Sequence, residues 1–127
     1  MFILLFSLFS SAGACTYVLN QTQIHISDRT VHFGDYLNQK LFAKGYLLAM
    51  EGEDINYKVN LDFQLLVKSH FEYAHSNVSI QRVSDSSGFY REVSVRCYTQ
   101  SCIAKDAAKA IRKSIDDFSS ALPACVN

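Results

Sequence analysis

The stretch "INYKVNLDFQLLVKSHFEY" (residues 55–73) decides the fold. Its odd positions are Ile55, Tyr57, Val59, Leu61, Phe63, Leu65, Val67, Ser69, Phe71 and Tyr73, and all but Ser69 are apolar or aromatic. Its even positions are Asn56, Lys58, Asn60, Asp62, Gln64, Leu66, Lys68, His70 and Glu72, polar except for Leu66. Successive side chains of a strand point to opposite faces. The stretch therefore reads as one long strand, or two collinear strands, with one buried and one wet face. A parallel sheet covered on both sides would read as an unbroken apolar run instead. The parity breaks at "AHSN" (74–77), which predicts a loop there.

Towards the C-terminus, Val78, Ile80 and Val83 predict a further strand, and "SDSSG" (84–88) is a cluster of turn residues. In "FYREVSVRCY" (89–98), Val93, Val95 and Cys97 share one face and Glu92, Ser94, Arg96 and Tyr98 the other, so the pair predicts a hairpin. A final helix follows, with Thr99 or Ser101 as a cap for its orphan N–H groups. Its apolar stripe is Ala104, Ala107, Ala108, Ile111, Ile115, Phe118 and Leu122, and Pro123 ends it.

Towards the N-terminus, "EGED" (51–54) is a polar turn and "YLLAM" (46–50) a short extended piece. In "DRTVHFGDYLNQKLFAKG" (28–45), Phe33, Leu37 and Leu41 fall on one helical face and Gly45 is placed to stop the helix. Gln21 to Ser27 reads as a strand. The sum predicts an α+β two-layer sandwich in the order β-α-β-β-β-α. An antiparallel sheet keeps one face in solvent and packs the other against two helices.

The chain has 127 residues, balanced charge (12 Lys and Arg against 12 Asp and Glu) and dispersed cations, which excludes the clustered basic surface that nucleic acid requires. Residues 1–14 differ from the rest. Phe2 to Phe9 is apolar apart from Ser7, and Ser10-Ser11-Ala12-Gly13-Ala14 supplies small residues at a cleavage site. They read as a signal peptide, too short for a membrane span, which needs about 20 apolar residues. Residues 15–127 are then one domain in an exported, disulfide-permissive setting.

Four cysteines remain to be read: Cys15, Cys97, Cys102 and Cys125. Cys97 closes a strand and Cys102 opens a helix, so a Cys97–Cys102 disulfide is feasible; reduced thiols or a loose C-x4-C metal pair are the alternatives. A Cys102–Cys125 bridge is not feasible, because a helix of residues 102–121 is about 30 Å long and bridged Cα atoms lie within about 7 Å. Cys15 has two readings. Its place after a small-residue site fits lipidation, whereas even pairing of the cysteines fits a Cys15–Cys125 bridge. Lipidation at Cys15 is the expectation carried forward.

No nucleophile elbow, phosphate loop or metalloprotease motif is present. His25, His32, His70 and His75 form no metal-binding pair, with His70 and His75 read as loop residues, and "EGED" lacks the ligand series of a calcium loop. Catalytic residues, metal and cofactor are all expected to be none. Asn20-Gln21-Thr22 and Asn77-Val78-Ser79 are glycosylation sequons. The wet sheet face offers the remaining candidate site: Lys58, Asp62, Tyr90, Glu92, Arg96 and Tyr98, since Tyr and Arg are favoured at protein interfaces.

A leader ending at Cys15, "LNQKLFAKGY" closing the first helix, the long alternating strand, "VSIQRVSDSSG" and the helix "AAKAIRKSIDDFSSALP" together resemble small bacterial envelope lipoproteins. Among them are an uncharacterised α+β lipoprotein family and the lipopolysaccharide-assembly lipoprotein that plugs an outer-membrane barrel. The resemblance spans most of residues 15–123 and rests on topology and spacing. It implies a non-catalytic accessory or interaction domain, anchored by lipid at Cys15 on the periplasmic side of the outer membrane, with an envelope protein as partner and no small-molecule cofactor. The alternative is a soluble periplasmic or secreted protein-binding domain, disulfide-bonded and glycosylated at Asn20 or Asn77.

Overall fold

The computed structural model describes residues 15–125, so the signal-peptide reading of residues 1–14 lies outside the described residues. The chain is α+β. Its elements are β1 (Thr16–Leu19), β2 (Gln23–Ile26), β3 (Arg29–His32), α1 (Gly34–Ala43), β4 (Leu47–Leu48), β5 (Tyr57–Lys68), β6 (Phe71–Arg82), β7 (Gly88–Arg96) and α2 (Ala104–Ala121). A five-stranded sheet runs in the order β4-β1-β5-β6-β7, and β2 and β3 form a separate hairpin.

Residues 55–73 are not one strand. The chain reverses at Ser69-His70, where φ is +50° and +70°. Two consecutive positive φ values make the tight hairpin turn whose twist matches the flanking strands. Register then pairs Leu65 with Ala74, Phe63 with Ser76, Leu61 with Val78 and Val59 with Ile80. Odd residues of β5 thus share a face with even residues of β6. Ala74, Ser76, Val78 and Ile80 go to the core, and Phe71 and Tyr73, expected inside, go to the open face. "AHSN" lies in the middle of β6 rather than in a loop.

The inward parity of β5 holds over its first half. Val59 and Leu61 are fully buried, while Leu65 and Val67 near the hairpin tip are 42% and 72% exposed. The β6–β7 hairpin forms as expected, with "SDSSG" as its turn. At Gly88 a Cβ would lie 1.9 Å from the Ile80 carbonyl oxygen, so the close strand approach there requires glycine.

The sheet is mixed rather than antiparallel, because β1 lies between β4 and β5 and runs parallel to both. Three strands beyond the expected order also appear, one of them β4 in the piece read only as extended. β1 is only "TYVL" directly after Cys15, and β3, "RTVH", occupies the start of the segment read as helix. Helix α1 begins at Gly34 and stops where Gly45 takes φ +90°. Its predicted face is correct: Phe33, Leu37 and Leu41 are buried.

Helix α2 packs against β6, β7 and β3. Phe118 stacks on Phe89 at 5.2 Å, and the Ser114 hydroxyl meets Ser76 at 2.8 Å in the core. The Asp106 carboxylate, not Thr99 or Ser101, satisfies the start of α2. It accepts the Ile103 N–H at 2.9 Å and the Tyr98 N–H at 3.4 Å, while the Thr99 hydroxyl donates to the Ser101 carbonyl. The helices meet through Tyr36, which donates to Asp116 and lies under the Arg112 guanidinium. That hydrogen bond, first, and burial, second, raise the Tyr36 phenol above its ordinary pKa. Large side chains buried this way contribute about 1.5–3 kcal/mol each relative to exposure.

Candidate functional site

Two disulfides close the chain. Cys97 and Cys102 bridge the end of β7 to the approach to α2, with Cα atoms 5.0 Å apart. Cys15 and Cys125 join the two ends of the described chain, with Cα atoms 6.2 Å apart. The Cys125 N–H donates to the Lys44 carbonyl at 2.7 Å, which draws the tail back beside Gly45. The Cys15–Cys125 pair is the second of the two readings of Cys15.

The open face of β5, β6 and β7 is built from alternate residues. Register places Lys58 beside Gln81, Asp62 beside Asn77, Asn77 beside Glu92, Ser79 beside Tyr90 and Tyr73 beside Arg96. Five of the six expected face residues therefore share one surface: Lys58, Asp62, Tyr90, Glu92 and Arg96. Tyr98 lies past the end of β7 and is 94% exposed. The Arg96 guanidinium sits 4.4 Å from the centroid of Phe71. At the centre, Asn77 Oδ1 is buried with no hydrogen-bond partner among the described residues.

The face also carries a hydroxyl, an imidazole and a carboxylate in line. Ser94 Oγ lies 2.6 Å from His75 Nδ1, and His75 Nε2 lies 3.3 Å from Glu92 Oε2. Acyl transfer needs, besides such a chain, donors aimed at a developing oxyanion. The strand ladder uses the amides of β6. The sequence reading missed this line because His75 and Ser94 are 19 residues apart and meet only through β-pairing.

A second feature gathers residues from β5, β6 and β7 and from the segments just before β4 and just after α2. Tyr46, Tyr57, Arg82, Phe89 and Pro123 line a shallow cleft of about 260 Å³. Tyr46 and Tyr57 meet edge to face at 5.4 Å, the Arg82 guanidinium lies 5.9 Å from Tyr57, and the Tyr46 hydroxyl donates to the Pro123 carbonyl. Burial raises the Tyr46 phenol above its ordinary pKa. No motif announces the cleft, because each residue comes from a different segment.

Among the described residues no group of three or more His, Cys, Asp or Glu is placed to hold a metal ion. Glu53 of "EGED" accepts the Met50 N–H instead. The Asn20 sequon is structurally engaged. Asn20 holds Leu61 through both its amide nitrogen and oxygen, and Asn77 lies mid-strand in β6 rather than at a loop junction. Among the described residues no helix is long and apolar enough to cross a membrane.

No protein-family model matches the chain, and no curated protein matches it. Among solved structures, a PelC dodecamer from Paraburkholderia phytofirmans is similar over 87% of this chain and 90% of its own, with 10% identity and a TM-score of 0.47. A likeness of that size bears on neither the fold nor the activity of this chain.

Proposed function

We propose that the protein is an exported, non-catalytic interaction domain that binds a protein partner in the bacterial cell envelope through the open face of its sheet. In this reading the two helices form one layer and leave the far side of the sheet free. The observation that carries it is the double closure, Cys15–Cys125 and Cys97–Cys102. Such bridges persist in oxidising compartments and are rare in the cytosol. The surface so stabilised mixes Lys58, Asp62, Glu92 and Arg96 with Tyr90 and Phe71, and aromatic and arginine side chains favour protein contact. With the Cys15 sulfur engaged, the domain is held at its site of action by its partner rather than by an acyl chain, as a soluble periplasmic protein facing the outer membrane.

The test uses a photo-crosslinking side chain at Asp62 or, as a control, at Lys109 on the solvent side of α2, in cells that express the full chain with its leader. A discrete envelope-protein adduct from position 62 and none from position 109 supports the reading. Adducts from both positions, or a chain recovered in the cytosol with free thiols, overturn it.

A further inference from the structure

We propose that the free edge of β7 pairs antiparallel with the same edge of a second copy of this chain, about a two-fold axis at Ser94, so that the protein is a homodimer. β7 ends the sheet. The Cys97 N–H donates to the Glu72 carbonyl and the Arg82 N–H to the Ser87 carbonyl. Odd residues of this strand therefore point their main-chain groups at β6, and Tyr90, Glu92, Ser94 and Arg96 point theirs outward. Proteins commonly blunt such edges with proline, bulges or a cover. Residues 89–96 hold no proline, and their register with β6 is unbroken.

The edge is closed at its two ends and open in its middle. Arg91 donates to the Tyr90 carbonyl at 2.9 Å, and the Tyr98 N–H is taken by Asp106. Between them the outward N–H and C=O groups of Glu92, Ser94 and Arg96 have no partner among the described residues. A strand added there can use only these residues.

Side-chain complementarity then fixes the axis. Through Glu92, the axis sets that carboxylate against its own copy. Through Val93, it needs the Tyr90 carbonyl that Arg91 already holds. Through Ser94, it sets Glu92 opposite Arg96 of the second copy, and Arg96 opposite Glu92, with serine against serine between them. On the other face the same register sets Val93, partly exposed at the edge, against Val95 of the second copy. Directly opposed side chains of opposite charge attract and those of like charge repel, because their Cβ atoms are about 5 Å apart. Glu92 also meets His75, so the dimer leaves its carboxylate between an imidazole and a guanidinium. This inference goes beyond the envelope-partner reading and does not depend on it; it joins two open faces into one.

Sedimentation velocity on the purified oxidised protein, up to about 100 μM, is expected to show a dimer. Glu92→Arg and Arg96→Glu should each be monomeric with unchanged circular dichroism, since each opposes like charges across the axis. Mixing these two monomers should give a heterodimer, and the double variant should dimerise alone. Ser94→Cys should form an intermolecular disulfide on oxidation, because directly paired Cα atoms lie about 5.5 Å apart; Tyr90→Cys should not. A monomeric wild type, single variants that remain dimeric, or a mixture that stays monomeric overturns the proposal. If a single variant fails to fold, the Ser94→Cys and Tyr90→Cys pair decides alone: linkage at 94 only supports it, and any other pattern overturns it.

Discussion

Cys15 and Cys125 lie 6.2 Å apart at their Cα atoms although 110 residues separate them. A bridge of that span removes much of the freedom of the unfolded chain, about 4.7 kcal/mol for a 100-residue loop in the chain-entropy model. The Cys97–Cys102 bridge closes a far shorter loop, worth about 2 kcal/mol on the same model. Cys125→Ser should therefore lower stability more than the paired change of Cys97 and Cys102 to Ser, as read by urea unfolding. The mature chain should also show an unmodified residue 15, with a mass lighter than the reduced form by two hydrogens per bridge. A diacylglycerol mass at Cys15 would contradict the bridge directly.

Ser76 and Ser114 form a hydroxyl pair inside the core, and Ser114 Oγ also lies 2.8 Å from the Ile111 carbonyl. Both residues are fully buried. Removing one partner leaves the other hydroxyl without its partner, and an unsatisfied buried polar group costs about 1–3 kcal/mol. Ser114→Ala should thus destabilise, and the double change to alanine should lose less than the sum of the singles. A double-mutant cycle by chemical denaturation reads this coupling; strict additivity would show that the pair does not interact.

The legible parts of this fold were those carried by side-chain period. Leu37, Leu41, Ile111, Ile115 and Phe118 follow helical spacing, and Val59 and Leu61 follow strand spacing, and each is buried as expected. The hairpin at Ser69-His70 was illegible because tight turns are signalled by Asn-Gly or Asp-Gly, and neither Ser nor His announces a positive φ. Missing that reversal sent Phe71 and Tyr73 to the wrong face. β1 was illegible for another reason: four residues carry little period, and its place between β4 and β5 is set by long-range pairing. On the candidate face, parity alone grouped Lys58, Asp62, Tyr90, Glu92 and Arg96, whereas the meeting of His75 with Ser94 and Glu92 required the register.

Gly88 is fixed by a contact rather than by flexibility. A Cβ added there would lie 1.9 Å from the Ile80 carbonyl oxygen and 2.9 Å from its carbon. Backbone cannot swing aside as a flexible side chain can, so Gly88→Ala should force the start of β7 away from β6. Gly52 is the control: its φ of +86° is strained for alanine, but a Cβ there meets nothing within 4 Å. Gly52→Ala should lower the melting temperature modestly, and Gly88→Ala should lower it more and also speed amide exchange in residues 88–91. Equal effects on both readouts would refute the contact argument.

Tyr17 is buried, and its hydroxyl donates to Asn38 Oδ1 at 2.5 Å. Burial disfavours the phenolate, so its pKa is raised from 10.0 to about 12. In the unfolded chain the phenol ionises near its ordinary value of about 10. Between those two values the folded state binds more protons than the unfolded state. Stability linked to Tyr17 is therefore fully present below pH 10, falls as the pH rises and is lost above about 12. Tyr17→Phe removes the ionisable group while keeping the ring, at the expense of leaving Asn38 Oδ1 without this donor. The variant should be less stable than the wild type at pH 8 and should lose less stability between pH 9 and pH 11, as measured by urea midpoints. Phenolate absorbance should show that the folded wild type ionises one tyrosine later than the unfolded chain does. A Tyr17→Phe protein whose stability falls as steeply as the wild type over that range would place the alkaline sensitivity elsewhere.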